Sequence, residues 1–313
     1  MHDIVLECND VGHWFGDNRV LHNVNFKIAR GEIVAVVGPS GCGKSTLLRA
    51  ILGTHPPRRG QVLMNGRSYT SPSRERGIVY QRYALFPFLT AEKNVALGPM
   101  LDQTSLAYRF FAFWKWRRLR RRHLGEATQW LEKLMLGEAV HHYPDEMSGG
   151  MRQRVAIAQS LIMKPHLLLL DEPFGALDEA TREDLQQVLL RLYQENIEAR
   201  RDGGRPPHTI LIVTHELNEA IYVADRVIGL SQHWAWDEST ETSPPGATIV
   251  YDCAAPIFHP DDEREYAQFL HQRRELRHVV FEPKERHTPG EFLRFWDECA
   301  AGHGAGIMGG AQP

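Results

Sequence analysis

The octapeptide Gly38-Pro-Ser-Gly-Cys-Gly-Lys-Ser45 constrains this chain more than any other feature. It follows the β-branched run Ile33–Val37 and precedes Lys44 to Leu52, where apolar residues recur at helical spacing. A G-x-x-x-x-G-K-[ST] pattern between a strand and a helix is the context of a phosphate cradle. Its glycines let successive backbone N–H groups turn onto phosphate oxygens, and the helix N-terminus adds partial positive charge. Lys44 is spaced to reach the β- and γ-phosphates, and the Ser45 hydroxyl to ligate Mg²⁺.

A second constellation supplies acids. Leu167 to Leu170 reads as a buried strand and ends in Asp171-Glu172. A carboxylate at such a strand end suits Asp171 to holding Mg²⁺ through water. Glu172 beside it is suited to polarising an attacking water as general base.

Further apolar runs at 77–80, 209–213 and 226–230 read as buried strands, and 125–135, 149–163 and 180–197 as helices. Strands alternating with helices predict an α/β fold with a mainly parallel core sheet. The span from Thr90 to Lys164 is almost wholly helical in pattern and predicts a helical subdomain. Composition bounds the rest. With 36 Lys+Arg against 39 Asp+Glu, the net charge of −3 argues against a protein whose whole body coats nucleic acid. Four Cys without a C-x-x-C pair argue against a disulfide scaffold or zinc ribbon. The longest apolar runs, such as Ala220–Ala224, are five residues, and a membrane-spanning helix needs about 20. The start lacks a signal-peptide core, so the expectation is a soluble, cytoplasmic protein.

These motifs, in their order, resemble the nucleotide-binding subunits of ABC (ATP-binding cassette) transporters over roughly residues 3–232. The family order begins with an aromatic in His13-Trp-Phe-Gly16 and continues with Walker A at 38–46 and the Q-loop Gln81. Then come the signature Met147-Ser-Gly-Gly-Met151, Walker B at 167–172, the D-loop Ala176-Leu-Asp178 and the switch His215. The resemblance implies a P-loop ABC cassette with an N-terminal antiparallel β-subdomain and a helical signature subdomain. It implies that ATP is held by Gly38, Ser40, Gly41, Cys42, Gly43, Lys44, Ser45 and Thr46. Phe15 would stack on adenine with Val20 flanking it, Trp14 being the competing stacker. Ser148, Gly149 and Gly150 would form a second phosphate-facing helix start, aimed at the nucleotide of a partner cassette, with Asp178 crossing the dimer interface. Glu172, His215, Gln81 and Lys44 would carry catalysis, and Ser45, Gln81 and Asp171 would hold Mg²⁺. The signature departs from the usual Leu-Ser-Gly-Gly-Gln at Met147 and Met151. The first swap is near-isosteric; the second removes a donor–acceptor pair.

The run Gln81 to Thr90 and the sequence 171–182 resemble the nitrate, sulfonate and taurine importer group. Phe86, Phe88 and Pro87 then read as a groove for a coupling helix of a membrane permease, with Tyr83, Leu85 and the aromatics as subdomain core the competing reading. The implied protein is the ATPase of an importer for a small, possibly anionic, solute, on the cytoplasmic face of the membrane. Its implied partners are a permease, a second cassette and a solute-binding protein, with no nucleic acid. An exporter or lipid-trafficking cassette and a soluble non-transport ATPase are the alternatives.

Two segments lie beyond the family pattern. Residues 105–123 hold seven Lys/Arg, no Asp or Glu, and six Phe/Tyr/Trp. They read as a basic helix with one buried aromatic face, as a membrane- or permease-contacting element, or, with least support, as a nucleic-acid contact. Residues 252–313 read as a C-terminal extension to a cassette spanning 1–251, the last dozen as disordered.

Overall fold

A computed structural model describes residues 3–82, 84–105, 111–175, 177–236, 245–255, 266–282, 286–292 and 294–296. Tyr83, Ala176, the 106–110 part of the basic stretch and the last dozen residues lie outside these. The chain divides into two compact units, Met1–Ser73 with Leu189–Pro313, and Arg74–Val188.

The first unit holds a four-stranded sheet in the order β2-β1-β4-β5, built from β1 (Ile4–Phe15), β2 (Asn18–Ala29), β4 (Arg59–Met64) and β5 (Arg67–Ser68). Every pairing in it is antiparallel, as expected of the N-terminal subdomain. Its second layer is centred on β3 (Ile33–Val37), paired in parallel with both β8 (Ile210–Thr214) and β9 (Arg226–Ser231). All residues of β3, β8 and β9 are buried. This is why their sequences run continuously apolar instead of alternating. Each buried Val, Ile or Leu side chain contributes about 1.5–3 kcal/mol.

The strand β10 (Thr248–Ala254) adds to β9 in antiparallel sense. A cassette boundary at 251/252 therefore falls inside a paired strand, and the segment after 251 begins as sheet. Arg226, fully buried on β9, explains the attachment. Its Nη2 donates to Asp252 Oδ2 at 2.7 Å, and its Nη1 donates to Lys27 O at 2.8 Å and Glu32 Oε1 at 3.1 Å. The Phe295 ring lies 4.6 Å from the guanidinium. Burial pushes the Glu32 carboxyl above its ordinary range although Arg226 opposes the shift.

The second unit contains β6 (Arg76–Val79) paired in parallel with β7 (Leu167–Asp171). Its helices are α2 (Ala91–Gln103), α3 (Phe113–Lys133) and α4 (Gly149–Leu161). The helix α5 (Glu179–Arg201) begins in this unit and ends in the other. α1 (Lys44–Leu52), α6 (Leu217–Val223) and α7 (Tyr266–Leu276) belong to the first unit.

α3 begins twelve residues before the Gly125 start that the pattern suggests. Half-buried Trp116 and Leu119 continue the inward stripe of His123, Ala127 and Leu131 back across Gly125. A single interior glycine costs only about 1 kcal/mol and does not stop a helix that packs on both sides of it. The aromatics near its start do not form one buried face, however: Phe111, Phe113 and Trp114 are exposed.

Candidate functional site

The phosphate loop lies in the first unit between β3 and α1. Lys44 is buried, and its Nζ donates to Gly38 O at 2.7 Å and Pro39 O at 3.1 Å. The loop's own carbonyls thus hold the ammonium in place. Gly43, the N-cap of α1, has φ +102°, and a β-carbon there would press on Val20 Cγ1. Gly38 is required for a different reason: a β-carbon would collide with Leu230 O of β9 and Cys42 Sγ. Gly41, at φ +83°, has open space on its side-chain side. Gly38, Ser40, Gly41, Cys42, Gly43, Lys44, Ser45 and Thr46 are therefore contiguous, with Val20 beside them. No acid sits in the first turn of α1, so the positive helix start is left for an anion.

Phe15 ends β1 as an exposed ring in edge contact with His13. Trp14 points to the opposite face of the strand, where Arg58 lies 5.6 Å over its ring. Of the two candidate stackers, Trp14 is already occupied by a cation. His215 follows β8, exposed, with Nε2 3.4 Å from Glu216 Oε1. The turn beneath it is held by Glu216 N donating to buried Thr214 Oγ1 at 3.0 Å.

In the second unit, Asp171 closes β7 and Glu172 follows it with φ +50°. A left-handed backbone at a residue with a side chain costs about 1–2 kcal/mol. The turn is anchored by Phe174, fully buried, and by Gly175 N donating to Glu172 O at 3.3 Å. Strain of this kind concentrates at functional positions. Exposed Gln81 follows β6. The loop after it is clamped by buried Asn94, a residue that sequence reasoning passed over. Asn94 Oδ1 accepts from Phe86 N at 2.8 Å, and Nδ2 donates to Leu89 O at 2.9 Å and to Phe86 O and Thr90 O at 3.2 Å. Phe86 and Phe88 stay exposed in this clamped loop, which disfavours their reading as subdomain core.

Ser148 is the N-cap of α4, its Oγ accepting from Met151 N at 3.2 Å. α4 also has no acid in its first turn. Met147 is buried, as an apolar replacement for Leu should be. Gly150 is packed so closely against Thr181 that no β-carbon fits. The Asp178 carboxylate is engaged within its own chain, accepting from Thr181 N at 3.0 Å and Thr181 Oγ1 at 2.9 Å. The Thr181 N–H holds that carboxyl below its ordinary range. Thr181 was visible in the sequence only as part of the Asp171–Arg182 run, because its role depends on a helix pair that periodicity does not reveal.

A sequence profile of the ABC transporter family matches residues 21–175. The aliphatic sulfonates import ATP-binding protein SsuB of Bacillus cereus is 38% identical over 232 residues, covering 73% of this chain and 82% of that protein. The chain belongs to the ABC transporter family. Other relatives include the nitrate transport protein NasD of Klebsiella oxytoca, 36% identical over 87% of this chain and 92% of its own length. The nitrate import ATP-binding protein NrtD of Synechococcus elongatus is 38% identical over 78% of this chain and 77% of that protein. Among solved structures, a dimeric ATP-binding cassette in a post-hydrolysis state with ADP and phosphate superposes with a TM-score of 0.59. It is 28% identical over 81% of this chain and all of that one. This ABC cassette is an ATP-binding, ATP-hydrolysing enzyme. No helix among the described residues is long and apolar enough to cross a membrane.

Proposed function

We propose that this cassette powers uptake of a small anion of the nitrate or sulfonate type through a separate transmembrane permease. The observation that carries the reading is its identity of 36–38% to import and transport proteins for sulfonates and nitrate, spanning up to 87% of this chain. The subunit would sit peripherally on the cytoplasmic face, with a solute-binding protein completing the system.

The site residues receive roles that fit their chemistry. Phe15 stacks on adenine with Val20 beside it. The α1 N-terminus and the loop glycines bind phosphate, and Lys44 shifts its hydrogen bonds from the loop carbonyls to the β- and γ-phosphates. Glu172 accepts a proton as water attacks the γ-phosphorus and the bond to the ADP oxygen breaks. His215 and Gln81 orient that water and report the γ-phosphate. Ser148, Gly149 and Gly150 serve the nucleotide of a second cassette, and Asp178 lies at the cassette–cassette interface, so closure of the dimer needs ATP. The oxygen donors of Ser45, Asp171 and Gln81 fit a hard divalent cation such as Mg²⁺, which would neutralise phosphate charge when bound. Phe86 and Phe88, exposed on a loop that Asn94 holds rigid, suit a coupling groove for the permease.

The test is ATP-dependent uptake by proteoliposomes holding this cassette, its permease and its binding protein. Labelled nitrate and alkanesulfonates should accumulate, and excess unlabelled substrate should compete. Uptake confined to neutral or cationic solutes, or ATP-driven efflux, would reject the reading.

A further inference from the structure

The start of α3 violates the electrostatic preferences of a helix. Between Phe111 and Arg122 the chain carries Lys115, Arg117, Arg118, Arg120, Arg121 and Arg122 and no acid. These cations occupy the first ten residues of a helix whose first turn contains no acid. In the first turn the macrodipole is positive, so Lys115 is disfavoured there. The pairs 117/121 and 118/122 also set like charges one helical turn apart, which is destabilising. Among the described residues of this stretch, Arg122 alone has an acidic partner on the helix, Glu126, at 2.9 Å.

The apolar residues at the same end are equally out of place for a solvated helix. Phe111 is 93% exposed, Trp114 76% and Phe113 48%. Arg117 stacks 5.9 Å over Trp114 and Arg120 5.9 Å over Trp116, so the cations and rings form one mixed surface. The inward stripe of Trp116, Leu119, His123 and Ala127 already anchors the helix; the Phe113 ring lies against Trp116 at 5.7 Å, while Phe111 and Trp114 stay largely exposed. Residues that weaken the isolated fold in this way mark a surface used for something else.

We propose that this helix start docks on an anionic phospholipid surface. Negative headgroups relieve both the dipole conflict and the like-charge repulsion, and exposed Trp and Phe partition into the headgroup–acyl boundary, the combination that holds interfacial helices. A nucleic acid would offer phosphates as well, but the rest of the chain is net acidic, which disfavours an extended nucleic-acid contact. The importer reading enters only by bringing the cassette near a bilayer; the vesicle measurement below does not depend on which solute is carried.

The full-length protein is sedimented with phosphatidylcholine vesicles and with mixed phosphatidylglycerol–phosphatidylcholine vesicles. Binding is expected only to the anionic vesicles and should weaken as salt rises. Trp114→Ser with Phe111→Ser, and separately Arg117→Glu with Arg121→Glu, should each lower partitioning at least about tenfold. Basal ATP hydrolysis in solution should stay unchanged, and the melting temperature should hold or rise. No wild-type binding to anionic vesicles, equal binding to both vesicle types, or full binding by both variants would overturn the proposal. Retained vesicle binding with loss of permease co-purification in the variants would reassign the face to the membrane subunit, and RNA binding without vesicle binding would reassign it to nucleic acid.

Discussion

Thr181, at the start of α5, occupies the space that a β-carbon on Gly150 of α4 would need. The same threonine donates its N–H and hydroxyl to Asp178. One residue thus joins the signature helix to the D-loop within a single compact unit. A second tie runs parallel to it, from Arg154 Nη2 to Asp184 Oδ2 at 3.2 Å.

Gly150→Ala should therefore lower stability by about 1–3 kcal/mol through overpacking. Thr181→Ser removes the methyl group that the new β-carbon would strike and keeps the hydroxyl for Asp178. The double variant should recover most of the melting temperature. A melting temperature that stays low in the double variant would show that the strain at Gly150 lies in its backbone and not in this contact.

Binding and hydrolysis should separate between Lys44 and Glu172. Lys44→Ala loses the ammonium that the loop carbonyls hold in place, and should weaken ATP binding as well as turnover. Glu172→Gln should retain nucleotide and accumulate an ATP-bound dimer while turnover falls by about 10²-fold or more. Equilibrium binding of a fluorescent ATP analogue and steady-state phosphate release read the two effects. Rapid turnover by Glu172→Gln would remove this residue from the base role.

Asp225 should make stability fall with rising pH. Burial raises its carboxyl to about 7, against the Ile33 N–H that its Oδ2 accepts at 2.8 Å and the bond with Tyr193. The folded state keeps this proton between about pH 4 and 7, where the unfolded chain has released it. Stability from this group is therefore greatest below about pH 4 and is lost as pH rises to 7, by roughly 3–4 kcal/mol. Asp225→Asn should flatten that part of the profile in urea unfolding measured at pH 5 and 7. An unchanged difference between the two pH values would mean that Asp225 is ionised in the folded protein.

Arg226→Met should destabilise by about 3–5 kcal/mol at neutral pH, because it leaves Glu32 and Asp252 buried without their cation. The deficit should shrink at pH 5, because burial already raises the Glu32 carboxyl and its protonation removes a stranded charge. Urea unfolding at the two pH values checks both statements.

Restoring Gln at position 151 should change ATP hydrolysis only a few-fold. The backbone N–H of Met151 already caps onto Ser148, and the substitution leaves that bond in place. A rescue of many-fold in steady-state phosphate release would mean that the methionine cripples the signature.

Much of the fold could be read along the chain. β3 and α1 fall on the residues that their patterns indicate, since a buried strand, a glycine loop and an amphipathic helix each leave a local period. The roles proposed for Lys44, Asp171, Glu172, Ser148 and His215 were legible for the same reason: each follows a recognisable strand or starts a recognisable helix. Where the signal is not local, it was missed. α3 reaches back to Phe113 because tertiary packing outweighs one glycine, and β10 forms because buried Arg226 finds Asp252.

By itself, then, the sequence determined an ABC cassette, its phosphate loop and the order of its motifs, because motif spacing encodes chemistry within a few residues. Only the tertiary structure decided that Asn94 clamps the loop after Gln81, that Thr181 dictates Gly150, and that Asp225, 192 positions from Ile33, holds its backbone. Those contacts join residues that have no periodic relation, and their energies come from burial and close packing that exist only once the chain has closed around them.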